Sequence, residues 1–139
     1  MSMEEGCDII TAFSRLNRAL SKIEAVAGFA HSKTLGYITT RPSFIGTALR
    51  ISMLVQLPHL EENRRRYRAI CENYSIAFKS LVCNETQPHE HLYELSNRKR
   101  LGVSEVELLQ DMYDCVKECV GLEREFSRPP DTACGFDLR

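Results

Sequence analysis

The sequence contains no apolar run of the roughly 18 residues that a membrane helix needs, and its first residues, MSMEEGCD, hold neither a basic region nor an apolar segment. Neither a membrane span nor a signal peptide is therefore expected, and a cytoplasmic location is the default. Charge of one sign is lacking too: 18 Lys and Arg stand against 19 Asp and Glu, a formal net charge of -1. That balance gives no general reason to expect nucleic acid or an acidic membrane as a partner. No serine nucleophile elbow, Walker loop or dinucleotide fingerprint is present, so the chemistries those motifs carry are not indicated. The six cysteines (Cys7, Cys71, Cys83, Cys115, Cys119 and Cys134) lack the paired spacing of a small secreted scaffold and read as reduced thiols. Asn73-Tyr74-Ser75 and Asn84-Glu85-Thr86 match the glycosylation sequon, which matters only in a secreted chain.

What is there fits one globular domain: 139 residues, 43% of them hydrophobic, bury roughly two-thirds of the unfolded surface. Ile9, Phe13, Leu16, Leu20 and Ile23 recur at alternating spacings of four and three, one stripe of a helix capped by Asp8, stopped near Gly28 and suited to cover a sheet face. From Pro58 and His59 the chain leads into a second helix with Leu60, Tyr67, Ile70 and Cys71 inward. There Arg64, Arg65, Arg66 and Arg68 read as a solvated face balanced by Glu61, Glu62 and Glu72, rather than as a nucleic-acid patch. Ser75 to Val82 alternates as a third strand, with Lys79 opposite Phe78, and His91 to Leu95 as a fourth. The polar CNETQPHE between them reads as a flexible loop. Ser104 and Glu107 form a capping box before a long helix striped by Val106, Leu109, Tyr113, Val116 and Val120 and weakened late by Gly121. Cys83 with His89 and His91, or Cys115 with Cys119, match no recognised metal spacing, so no metal site is expected.

The organising stretch is Leu35 to Pro58. Two strand-like runs flank a turn containing Pro42, Ser43 and Gly46, and from Thr47 the side chains alternate. Thr47, Leu49, Ile51, Met53, Val55 and Leu57 fall on one face, and Ala48, Arg50, Ser52, Leu54 and Gln56 on the other. Pairing of the two runs predicts an antiparallel hairpin, with Arg50 on a face able to hold an anion through its fork of donors.

The block RPSFIGTALR in this stretch resembles the CPSNLGTGLR-type signature of the guanidino phosphagen kinases, the arginine and creatine kinases. FSRLNRALSKIEAVAGFAHSKTLGYIT upstream, and LPHL and LYELSNRKRLGVSEVELLQDMYDCVKECVGLERE downstream, follow that family in order, from about Met1 to Glu125. Bacterial protein arginine kinases share the block, but HSKTLGYIT and SNRKRLG sit closer to arginine kinase. The resemblance implies an α+β fold: an antiparallel sheet of about four strands with helices packed on one face, the C-terminal part of a guanidino kinase (glutamine synthetase-like) catalytic domain. It would occupy residues 1–127, with an irregular tail over 128–139.

Guanidino kinases transfer the terminal phosphoryl group of magnesium ATP to a guanidinium nitrogen, which implies catalysis by alignment and charge neutralisation. Carried over position by position, the nucleotide-phosphate arginine is Arg50 and the serine facing the adenine is Ser52. The family's RGTRGE-type run aligns with 79–84, so Lys79 replaces one phosphate arginine, Val82 a second, and Asn84 the substrate-holding carboxylate. The signature cysteine becomes Arg41, a cation that should repel a guanidinium, and the expected histidine becomes Leu54. His31 matches the family at a helix-to-strand turn and reads as structural.

Family members are well over twice this length and carry further phosphate arginines and a second carboxylate before the point matching Met1. The resemblance therefore implies a chain with no catalytic residues of its own. It would bind ATP or ADP weakly, with magnesium and none of it tightly held. The alternatives are a fragment or subunit that completes an active kinase, and a non-catalytic interaction module. An uncovered sheet edge and apolar face would bring self-association or a partner chain.

Overall fold

The computed structural model describes residues 1–6, 8–80 and 91–127. Their order is α1 (Ile9–Ala27), β1 (His31–Ser32), β2 (Gly36–Tyr37), a 3-10 turn (Pro42–Phe44), β3 (Ser52–Gln56), α2 (Arg64–Asn73), β4 (Ile76–Ser80), β5 (Leu92–Asn97) and α3 (Glu105–Phe126). Two compact units result, residues 1–51 with 97–111, and residues 52–96 with 112 onward. The division falls within α3.

In the first unit, Asp8 caps α1 by accepting from the Thr11 N–H at 3.0 Å, a bond that also holds its carboxyl below the ordinary range. Gly28 ends the helix, its N–H donating to the Glu24 carbonyl. The apolar stripe forms as its spacing requires, but none of the residues of α1 is buried, and Leu20 and Ile23 are 41% and 51% exposed. The capping box is present, with the Glu107 carboxylate accepting from the Ser104 N–H at 2.7 Å and Ser104 Oγ accepting from the Glu107 N–H at 3.2 Å.

The expected hairpin is replaced by other pairings. β2 pairs antiparallel with β1, and Tyr37 bridges Gly46. β3 pairs antiparallel with β5, in a register that runs from Ser52 opposite Ser96 to Gln56 opposite Leu92. Backbone sterics explain the change: Gly46 and Ala48 take positive φ, +112° and +53°, which breaks the extended run between the two segments. Residues 47–51 instead follow the chain after β5. Thr47 donates to the Arg100 carbonyl, and buried Asn97 accepts from the Ile51 N–H at 2.9 Å while donating to the Leu49 and Lys99 carbonyls. The alternation itself survives, because Val55 and Leu57 are buried and Arg50, Ser52, Leu54 and Gln56 are exposed.

The second unit holds the three-stranded sheet β3-β5-β4, where about four strands were expected in one sheet. Its inner face presents Val55, Ile76, Tyr93 and Leu95. Against these pack Tyr67 and Cys71 of α2 and Met112, Cys115, Val116 and Cys119 of α3, each at most 6% exposed. The stripe of α3 is thus displaced from the expected one: Leu108, Met112, Cys115 and Cys119 are buried, whereas Val106 and Tyr113 are 71% and 46% exposed. Cysteine behaves here as a small apolar residue, and counting it as such restores the spacing. Gly121 lies inside α3, which continues to Phe126. The arginines of α2 point outward as expected, Arg64 over the Phe78 ring and Arg66 over the Phe126 ring. The loop CNETQPHE, with Val82, Asn84 and His89, and the tail over 128–139 lie outside the described residues.

Three tyrosines in this unit donate to glutamates: Tyr67 to Glu123, Tyr74 to Glu118 at 2.6 Å and Tyr93 to Glu61 at 2.8 Å. Burial and then the glutamate raise the Tyr93 hydroxyl to about 12 and raise Tyr67 further; at Tyr74 the bond to Glu118 leads, again to about 12. An acid whose folded-state pKa is raised keeps its full contribution below the unfolded value, near 10.0, and loses it as pH climbs through the folded one. Denaturant melts should therefore show stability steady up to about pH 10 and falling above it. Tyr67→Phe and Tyr93→Phe should each flatten that fall, and an unchanged slope in both would refute the assignment.

Candidate functional site

The signature block builds most of one region in the first unit. Its opening residue, Arg41, is exposed and begins the 3-10 turn, with its carbonyl accepting from the Phe44 N–H at 2.9 Å and the Thr39 hydroxyl at 2.8 Å. Phe44 then offers its ring to the Arg100 guanidinium, 4.4 Å away, a cation–π contact. Arg100 also donates to the Ser43 and Arg98 carbonyls, while its buried Nε has no hydrogen-bond partner. Burial, followed by repulsion from Arg50, lowers the Arg100 pKa. Two guanidinium groups thus share one neighbourhood in the same unit. An open cavity of about 340 Å³ adjoins Arg100, with His31, Tyr37, Thr47 and Ser104 also on its wall. His31 stacks edge-on against Tyr37, their centroids 5.0 Å apart.

Backbone approach fixes this region. Gly36 and Gly46 have positive φ, and a Cβ on Gly36 would lie 2.6 Å from the Gly46 carbonyl oxygen, a distance at which no side chain fits. Gly46 exchanges hydrogen bonds with Tyr37 at 2.8 and 3.2 Å. The glycine of the signature therefore works through space it leaves empty, which spacing alone does not show.

The remaining candidate residues belong to the second unit. Ser52 opens β3 opposite Ser96, and Leu54 follows opposite Glu94; both are exposed, Leu54 by 59%. Lys79 is exposed on β4 and lies on the same outer face by strand alternation,. The sheet thus brings Ser52, Leu54 and Lys79 to one surface, while Arg41 and Arg50 are described with the first unit.

Two features escaped the sequence. Arg100 lies in SNRKRLG and carries no periodic signal, and Cys71 joins Cys115 and Cys119 in the core of the second unit, with sulfurs within 4.8 Å of one another. Among the described residues this is the one group of at least three His, Cys, Asp or Glu side chains with metal-ligand proximity. No helix among them is long and apolar enough to cross a membrane.

The signature block, with Arg100 brought beside Arg50 at a glycine-dependent crossing, and the antiparallel sheet with its helices define the class. Residues 1–126 match the family described as ATP:guanido phosphotransferase, C-terminal catalytic domain. The chain belongs to that family. It is 42% identical over 128 residues to an arginine kinase of Anthopleura japonica, covering 90% of this chain and 18% of that protein. To the arginine kinase of Artemia franciscana it is 32% identical, covering 89% and 35%. Among solved structures, lombricine kinase superposes with a TM-score of 0.75 at 27% identity, over 92% of this chain and 37% of that one. The substrate-free duplicated taurocyamine kinase from Schistosoma mansoni gives 0.73 at 29% identity, over 83% and 15%. The chain therefore spans between 15% and 37% of the length of these four relatives.

Proposed function

We propose that this chain is an arginine kinase-like protein that does not catalyse phosphoryl transfer alone and retains weak affinity for ADP and ATP. The observation that carries the reading is the pair Arg50 and Arg100: burial and then the Arg50 charge raise the cost of charging Arg100, and an anion beside it lowers that cost. Phosphate oxygens suit the guanidinium fork. The family resemblance assigns Ser52 and Lys79 to the nucleotide as well, and within the second unit those two share one exposed sheet face. No group of three carboxylates or histidines with metal-ligand proximity occurs among the described residues, so magnesium would arrive with the nucleotide. In this reading residues 1–127 act as one part of a guanidino kinase catalytic domain, and the match over 1–126 supports that boundary.

Calorimetric titration tests the nucleotide. ADP should bind at roughly millimolar strength, about -4 kcal/mol, more weakly as salt rises, and not at all to Arg50→Ala, while Arg64→Ala binds like the parent. Equal, salt-sensitive binding by both variants would reduce the site to nonspecific charge attraction.

The exposed second half of the α1 stripe, Leu20 and Ile23, favours a second role, association with another chain or a second copy, including one that would complete an active kinase. Val26 and Ile10 add 89% and 79% exposure beside Leu20 and Ile23, and apolar surface of that kind is ordinarily covered. Light scattering after size exclusion should show species larger than one chain at high concentration, reduced by Leu20→Glu with Ile23→Glu. A monodisperse monomer with a cooperative melt would refute the role.

A further inference from the structure

Three thiols converge in the core of the second unit. Cys71 sits near the end of α2, and Cys115 and Cys119 stand one turn apart on α3. They are 2%, 0% and 0% exposed, and none is in a disulfide. Their sulfurs all lie within 4.8 Å of one another. Three sulfurs bound to a common ion at about 2.3 Å lie at most about 4.0 Å apart when coplanar with it, and closer around a pyramidal ion, so a pair at the 4.8 Å limit has to close by about 1 Å or more. Two cysteines one helical turn apart are common packing; a third from a separate helix, closing the triangle, is the arrangement a three-coordinate thiophile requires.

The surroundings select among such ions. A buried net charge is costly unless paired. Three thiolates around Cu(I) leave two negative charges and around Zn(II) leave one, and zinc also seeks a fourth ligand. Among the described residues no His, Asp or Glu joins the cluster. Three thiolates around a trivalent ion leave none.

We propose that Cys71, Cys115 and Cys119 form a trithiol site for a trivalent thiophile of the arsenite class. The exchange balances without an oxidant or a net proton: arsenous acid loses three As–O bonds and gains three As–S bonds, each hydroxide leaves with a thiol proton as water, and arsenic stays trivalent. Access comes through α2, a ten-residue helix whose N-cap position, Asn63, makes no side-chain capping bond and which can open locally.

The test uses the full chain carrying Cys7→Ser, Cys83→Ser and Cys134→Ser, so that the cluster supplies all remaining thiols. Incubated with sodium arsenite, it should take up one arsenic per chain by intact mass and lose all three thiols to titration under denaturing conditions. Cys71→Ala in that background, with its far-ultraviolet circular dichroism unchanged, should bind at least tenfold more weakly. Arsenic-edge X-ray absorption of the loaded parent, which needs no further variant, should show three sulfur neighbours and no oxygen. The proposal is overturned by no adduct, by an oxygen in the first coordination sphere, by equal binding to a folded Cys71→Ala, or by tighter uptake of Zn(II) than of arsenite.

Discussion

Gly46→Ala should destabilise the chain by about 3 kcal/mol or more, with the damage centred on the first unit. Backbone strain at its φ of +112° contributes about 1–3 kcal/mol for a residue with a Cβ. Steric overlap adds to this, because the new Cβ would run into the Arg100 carbonyl oxygen and lie 2.6 Å from its carbonyl carbon and 2.8 Å from Leu101 Cα. All of these are backbone atoms, which cannot swing aside as a side chain would. Relief requires moving 97–101 away from 46–49, and that breaks the bond from the Thr47 N–H to the Arg100 carbonyl. Arg100 would shift with its backbone and leave the Phe44 ring. Gly102→Ala is the control: its φ is also positive, +75°, but nothing lies within 4 Å of an added Cβ, so it carries strain alone. Denaturant melts should separate the two clearly, and equal losses would show that the close approach of 46 and 100 is not a feature of the folded chain.

Local signals in the sequence translated well into structure. The Asp8 cap, the Ser104–Glu107 box and the alternation from Arg50 to Leu57 each involve residues a few positions apart, and the chemistry that makes them is contained in the segment. Partner choice was different. Nothing in the period of 47–57 distinguishes a neighbour at 35–40 from one at 92–97, and the decision rests on Gly46, Ala48 and the buried carboxamide of Asn97, each acting across the fold. The inner face of α3 differs from the expected stripe for a related reason: that stripe leaves out Cys115 and Cys119, whose volume the fold uses, and counts Val106 inward because it is apolar. Cys71 could be grouped with them only once α2 and α3 were placed. The family signature was legible in full, since RPSFIGTALR is a contiguous block, but the crowding of Arg50 by Arg100 was not, because the two lie in separate motifs.

In the proposed reading the family's fold outlasts its chemistry in this chain, with departures at positions that the resemblance aligns with the family's reactant-holding groups. Arg41, an exposed cation, would stand where the family's thiolate meets a guanidinium. Leu54, an exposed apolar residue, would stand in place of the histidine. Val82 and Asn84, outside the described residues, would replace a phosphate arginine and a substrate carboxylate. Electrostatic groups of this kind each supply about 3–4 kcal/mol of transition-state stabilisation, and removing two compounds to roughly 10⁴-fold or more in rate. The most direct measurement is turnover: the purified chain with magnesium ATP and arginine, creatine, taurocyamine or lombricine, followed by ADP release coupled to a reporter. The account predicts no transfer above the enzyme-free rate with any of the four. Turnover of about one per second or faster, ordinary for an enzyme, would contradict it.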